Sequence, residues 1–145
     1  MILLVGRETK NRKHIDLEIY SSMRDSKKNK KSGILVINLP TINCSYYTAA
    51  HGEGEKHLYP STTWVSINDR KEYEERYPYM PDRIIDNLLT HKSYISVVNW
   101  FDIANNPEKL RFLIDLTFQD VGKAEYDFSR SMKKINGKSN SGNIY

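Results

Sequence analysis

The chain has 145 residues, 39% of them hydrophobic and 28% charged, with a net charge of +4; this is one domain's worth of globular polypeptide, neither fibrous nor wholly disordered. Its single cysteine, Cys44, excludes an internal disulfide. The first apolar run, residues 1–5, is shorter than a signal-peptide core of ~7–15 residues or a membrane span of ~20, so a cytoplasmic location with no membrane partner is expected.

Met1-Ile2-Leu3-Leu4-Val5-Gly6 is a continuous apolar run ending in glycine, the pattern of a strand buried on both faces of a parallel sheet. Thr9 and Asn11, either able to cap a helix, follow it. From residue 12 to 23, Ile15, Ile19 and Met23 recur every four residues, and ~100° per residue puts them on one helical stripe. The run Lys27, Lys28, Lys30, Lys31 ends that helix. It lacks a basic face interleaved with aromatics, so it reads as solvated surface and no nucleic-acid partner is expected. Gly33-Ile34-Leu35-Val36-Ile37 is a second buried strand, stopped by Asn38-Leu39-Pro40.

Residues 38–63 form a long irregular connection holding Tyr46 and Tyr47; connections of this length are functional or disordered. Within it, His51, Glu53, Glu55 and His57 alternate in a way that invites a metal reading. The tight spacing of a zinc site is absent and Gly52 and Gly54 intervene, so a flexible loop is expected and no metal. Trp64-Val65-Ser66-Ile67 suits a short strand, and residues 69–77 and 82–89 suit short helices bounded by Pro78 and Pro81.

Tyr94-Ile95-Ser96-Val97-Val98-Asn99-Trp100 is a third strand, rich in β-branched residues. Asn106-Pro107-Glu108 then opens the best-marked helix of the chain. Leu110, Leu113, Ile114, Thr117, Phe118 and Val121 give that helix a broad apolar face. After Ser129 the composition collapses to Ser, Asn, Gly and Lys. The division is therefore a domain over 1–128 and a disordered basic tail over 129–145. The alternation of strands and helices predicts an α/β fold, a mainly parallel, flavodoxin-like sheet with helices on both faces. Ligands of such sheets bind beyond the carboxyl ends of the strands, in the loops 6–11, 38–48 and 100–105. Gly6, Thr9, Asn11 and Trp100 are the candidate ligand-binding residues there.

Leu3-Leu4-Val5-Gly6, Thr9 to Arg12, and His14-Ile15-Asp16-Leu17-Glu18-Ile19 together resemble the third strand and following helix of TIR domains. The usual form there is an apolar strand, a Ser-rich turn, then Trp-Cys-x-x-Glu-Leu. His14 takes the Trp position, Ile15 the Cys position, and Glu18-Ile19 the Glu-Leu. A nearer resemblance is to ThsB, the TIR-like subunit of Thoeris antiphage defence systems. It rests on the same helix, on Gly33-Ile34-Leu35-Val36 with Leu39-Pro40, on Pro81 to Asn87, and on the strand ending at Trp100.

The resemblance implies an NAD-consuming enzyme, a glycohydrolase or ADP-ribosyl cyclase, with NAD as substrate and no other cofactor. It implies an ADP-ribose-type signal that activates a ThsA-like effector on phage infection. Glu18 takes the catalytic place, with His14 one turn before it. On a helical wheel Glu18 lies about 60° from Ile15, at the margin of the buried stripe. A carboxylate so placed suits an oxocarbenium-like ribosyl transfer; the competing reading is a surface residue paired with His14. TIR domains also carry two strands before this point, so the sheet is expected to be N-terminally incomplete, with residues 1–5 at an edge. The rival reading is therefore a non-catalytic interaction module or degenerate fragment, self-associating through that edge as a homo-oligomer.

Overall fold

The computed structural model describes residues 1–27, 30–40, 51–60 and 67–137. Strands β1 (Ile2–Val5), β2 (Leu35–Asn38) and β3 (Ser96–Asn99) pair in parallel in the order β1-β2-β3. Their register aligns Val5, Asn38 and Asn99 at the carboxyl edge. The middle strand β2 is buried at every position, as its unbroken apolar run predicts.

β1 has an equally apolar sequence but sits at the edge. Leu3 and Val5 are buried, whereas Ile2 and Leu4 on the other face are 47% and 46% exposed. Position in the sheet, which hydrophobicity does not encode, produces the difference.

Helices α1 (Lys13–Met23), α2 (Glu53–Leu58), α3 (Arg70–Arg76), α4 (Asp82–Leu89) and α5 (Pro107–Asp120) cover both faces. On one face Leu3, Val5, Val36 and Val97 pack with Ile19 and Met23 of α1, Tyr73 of α3, and Ile84 and Leu88 of α4. On the other, Leu35, Ile37 and Val98 pack with Leu113 of α5, Ile103 and the partly buried Leu58 of α2. This is the α/β arrangement that the alternating pattern predicts. Asn106 caps α5 by accepting from Lys109 N at 3.2 Å. Only part of its apolar face is used, because Ile114 and Phe118 stay 40% and 77% exposed. A helix ~10 Å wide spans about two strands set ~4.8 Å apart, so α5 and α2 cover β2 and β3 and leave β1 open.

Two segments depart from the sequence reading. Residues 51–60, expected in a flexible loop, hold the helix α2. A Cβ on Gly52 would lie 2.3 Å from Ser96 Oγ, and one on Gly54 would lie 2.9 Å from Leu113 Cδ2. These glycines allow close approach to β3 and α5, not flexibility. Residues 129–137, assigned to a disordered tail, return to α1 and the turn before it through hydrogen bonds from Lys133 N to Asp16 and from Gly137 N to Asn11 O. Composition registers missing apolar groups; it does not register backbone hydrogen bonds. The expected strand residues Trp64 to Ser66, the aromatics Tyr46 and Tyr47, and the end of the tail from 138 lie outside the described residues.

Candidate functional site

At the carboxyl end of β1 the chain folds into a tight turn. Gly6 N donates to Thr9 Oγ1 at 2.9 Å, and that hydroxyl donates to Leu4 O at 3.3 Å. A 3-10 turn, Thr9–Asn11, then leads into α1. Gly6, Thr9 and Asn11 thus belong to one structured turn. Trp100 stands apart from them, 39% exposed, where β3 ends. All of β2 lies between, roughly two strand spacings or ~10 Å.

Asn38 fills that interval. It is 3% exposed and donates from Nδ2 to Asn99 Oδ1 at 3.4 Å. Its Oδ1 is buried without a hydrogen-bond partner among the described residues. Tyr59 Oη accepts from Asn99 N at 3.2 Å and donates to Asp102 Oδ2 at 2.6 Å. A polar rim of Asn38, Asn99, Tyr59 and Asp102 therefore follows the strand ends, where a parallel sheet presents its ligands. The sequence reading missed it. Its signal was the shared ending of Leu35-Val36-Ile37-Asn38 and Ser96-Val97-Val98-Asn99, two strands that close on asparagine in register.

On α1, His14 and Glu18 are both exposed, and neither forms a hydrogen bond or ion pair with a described residue. The expected margin position for Glu18 assumed a stripe running through Ile15. The buried residues of α1 are Asp16, Ile19 and Met23, which moves the stripe toward Asp16 and carries Glu18 well outside it.

Asp16 is the carboxylate held inside. Arg83 of α4, fully buried, grips it through Nε to Oδ1 at 2.8 Å and Nη2 to Oδ2 at 3.2 Å. The guanidinium also lies 5.0 Å from the ring centroid of Tyr20, one helical turn after Asp16. Burial alone would raise the Asp16 carboxyl. The hydrogen bonds from Arg83 and Lys133 N, with the charges of both residues, outweigh it and bring the group below its ordinary value. Asp16 and Tyr20 turn one side of α1 toward α4 and leave Glu18 exposed on the opposite side.

The His51–His57 alternation has a structural use. Glu55, 1% exposed, accepts from Val97 N at 3.0 Å and from His51 N at 3.2 Å. His51 Nε2 meets Tyr73 Oη at 2.5 Å. Its Nδ1 is 3.4 Å from Glu55 Oε1, without hydrogen-bond geometry. His57 packs on the ring of Phe112. Glu55 and Tyr59, one turn apart on this segment, thus receive Val97 N and Asn99 N at the outer edge of β3. Among the described residues no group of three or more His, Cys, Asp or Glu side chains is placed to hold a metal ion.

The family model of the Thoeris protein ThsB, TIR-like domain, matches residues 1–43. This segment is ThsB-like. The ThsB-like segment contains β1, the turn with Gly6, Thr9 and Asn11, the helix with His14 and Glu18, and β2 with Asn38. It is just under a third of the chain. No curated protein and no solved structure matches significantly. Among the described residues no helix is long and apolar enough to cross a membrane.

Proposed function

We propose that this chain serves in antiphage defence as a TIR-like, NAD-consuming enzyme, with Glu18 as its catalytic carboxylate. The observation that carries the reading is the ThsB-like match over 1–43, which includes α1 and Glu18. The exposure of Glu18, which has no partner among the described residues, supports it, since Asp16 is engaged by Arg83 and unavailable. In the reaction the bond between nicotinamide and ribose breaks and nicotinamide departs with the bonding pair. The Glu18 carboxylate faces the positive charge left on the ribose, or holds its hydroxyls, while water or an internal nucleophile takes the vacated carbon. The product is an ADP-ribose-type signal for a ThsA-like effector. Gly6, Thr9, Asn11 and Trp100 would contact the nucleotide, with His14 beside Glu18.

The test is nicotinamide release by the purified full chain and by Glu18→Gln. Loss of a group acting on the transition state lowers the rate roughly 10²–10⁴-fold. An exposed, unpartnered side chain shifts stability by only about ±0.5 kcal/mol, so the variant should melt with the wild type. Release at the native rate by Glu18→Gln would remove Glu18 from the mechanism.

A second reading is favoured by the apolar surface beside β1. Ile2, across a groove of about 220 Å³ from Ile114 and Phe118, and Leu4 on the same exposed face of β1 give an interaction module a surface for self-association.

A further inference from the structure

Residues 130–137 are fastened to the molecule in an unusual way. Arg83 donates from Nη1 to Arg130 O at 3.1 Å and from Nη2 to Ser131 O at 3.4 Å. Lys133 N donates to Asp16 Oδ2 at 2.9 Å. Farther along, Asn136 Oδ1 accepts from Lys13 N at 3.0 Å, and Gly137 N donates to Asn11 O at 2.8 Å. Lys13 is the first residue of α1, and its N-cap residue Arg12 supplies no capping side chain. Asn136 therefore does from 123 positions away what a local Asn or Ser does at an ordinary helix start.

None of these eight residues is buried; Ile135 is 77% exposed and Met132 39%. The segment is held by polar contacts and buries no large apolar side chain. Segments of that kind open locally at a small fraction of the global unfolding free energy. What they rest on is firm, since the Asp16–Arg83 pair belongs to the α1–α4 packing.

We propose that residues 130–137 form a releasable clasp that caps α1 from outside and keeps the β1–α1 turn in its observed form. The clasp also walls a cavity of about 200 Å³ shared with Thr9, Lys10, Asp16 and Asp82. Opening it frees Lys13 N, Asn11 O and two donors of Arg83 together, next to the turn that holds Thr9 and Asn11. Its link to NAD rests on the proposed function; its existence as a separable clasp does not.

Hydrogen exchange followed by mass spectrometry on the full chain tests it, comparing wild type, Asn136→Ala and Asn136→Asp. The alanine removes the external cap and the aspartate keeps an acceptor at the same place. Exchange over residues 9–16 should rise at least tenfold in Asn136→Ala and stay within about twofold of wild type in Asn136→Asp, with β2 and β3 unchanged. No change over 9–16 in the alanine variant overturns the clasp. An equal rise across β2 and β3 also overturns it, because the segment would then open only with the whole domain. In the same samples the KM for NAD should shift at least threefold in Asn136→Ala. An unchanged KM in a chain that consumes NAD overturns the coupling to the site, whereas a wild type that consumes none defeats the functional reading and leaves the exchange result to decide the clasp.

Discussion

Asp16 and Glu18 are two carboxylates on one helix with opposite surroundings, and the 200° between them on the wheel is the cause. Asp16 is locked by Arg83 and Lys133 N; Glu18 meets solvent. Replacing Arg83 by Leu should destabilise the chain by about 3–5 kcal/mol, since it leaves a buried carboxylate unpaired. Arg83→Leu combined with Asp16→Asn should be milder than the two single effects added, a coupling that denaturant melts would measure. A pH dependence follows from the lowered Asp16 carboxyl. A folded-state value below the unfolded one stabilises above the ordinary carboxylate range and is lost as pH falls through the folded value. Asp127, lowered by the hydroxyl and N–H of Ser129, acts with the same sign. Asp120, raised chiefly by burial, acts against them. The melting temperature of Asp16→Asn should accordingly fall less than that of wild type on acidification below about pH 5.

At the scale of elements, α2 takes the place of a fourth strand. Glu55 of α2 and Tyr59, its C-cap residue, receive Val97 N and Asn99 N along the outer edge of β3, where no other described strand pairs. Glu55→Ala should cost about 1–3 kcal/mol for each buried N–H left without an acceptor. Glu55→Gln keeps an acceptor and should restore most of the loss in the same thermal melts. Gly52→Ala should cost about 1–3 kcal/mol by overpacking. Its new Cβ would meet Ser96 Oγ at 2.3 Å and Tyr94 O at 2.7 Å, and the latter is backbone that cannot swing aside.

For the whole molecule the two sheet edges are unlike. β3 is covered by α2, and β1 exposes Ile2 and Leu4, with Ile2 across a groove from Ile114 and Phe118. A charge on an open, apolar edge strand hinders strand addition. Leu4→Lys should therefore move the chain toward monomer in sedimentation velocity at high concentration, with only a modest change in melting temperature because Leu4 is already half exposed. If wild type and variant sediment alike as monomers, the edge does not drive association.

Much of the fold was legible in residue patterns: the apolar runs of β1 and β2, the four-residue spacing of Ile15, Ile19 and Met23, and the Asn106-Pro107 start of α5. Each is local, set by backbone periodicity and capping, and local preferences are what a sequence carries most openly. The Glu-bearing helix was legible in the same way, whereas its ThsB likeness was read from resemblance to the family's motif. Three features were decided only by tertiary structure: which carboxylate of α1 is buried, whether the His51–His57 stretch is a loop or carries a helix, and where the polar tail goes. Asp16 is inside because Arg83, 67 positions later, neutralises it there. Glu55 is inside because β3 offers an N–H at its edge, and residues 130–137 lie against α1 because the side chains of Arg83 and Asp16 and the carbonyl of Asn11 meet their backbone. Those partners lie far apart along the chain, and no periodicity or composition records a hydrogen bond that forms only once distant segments are brought together.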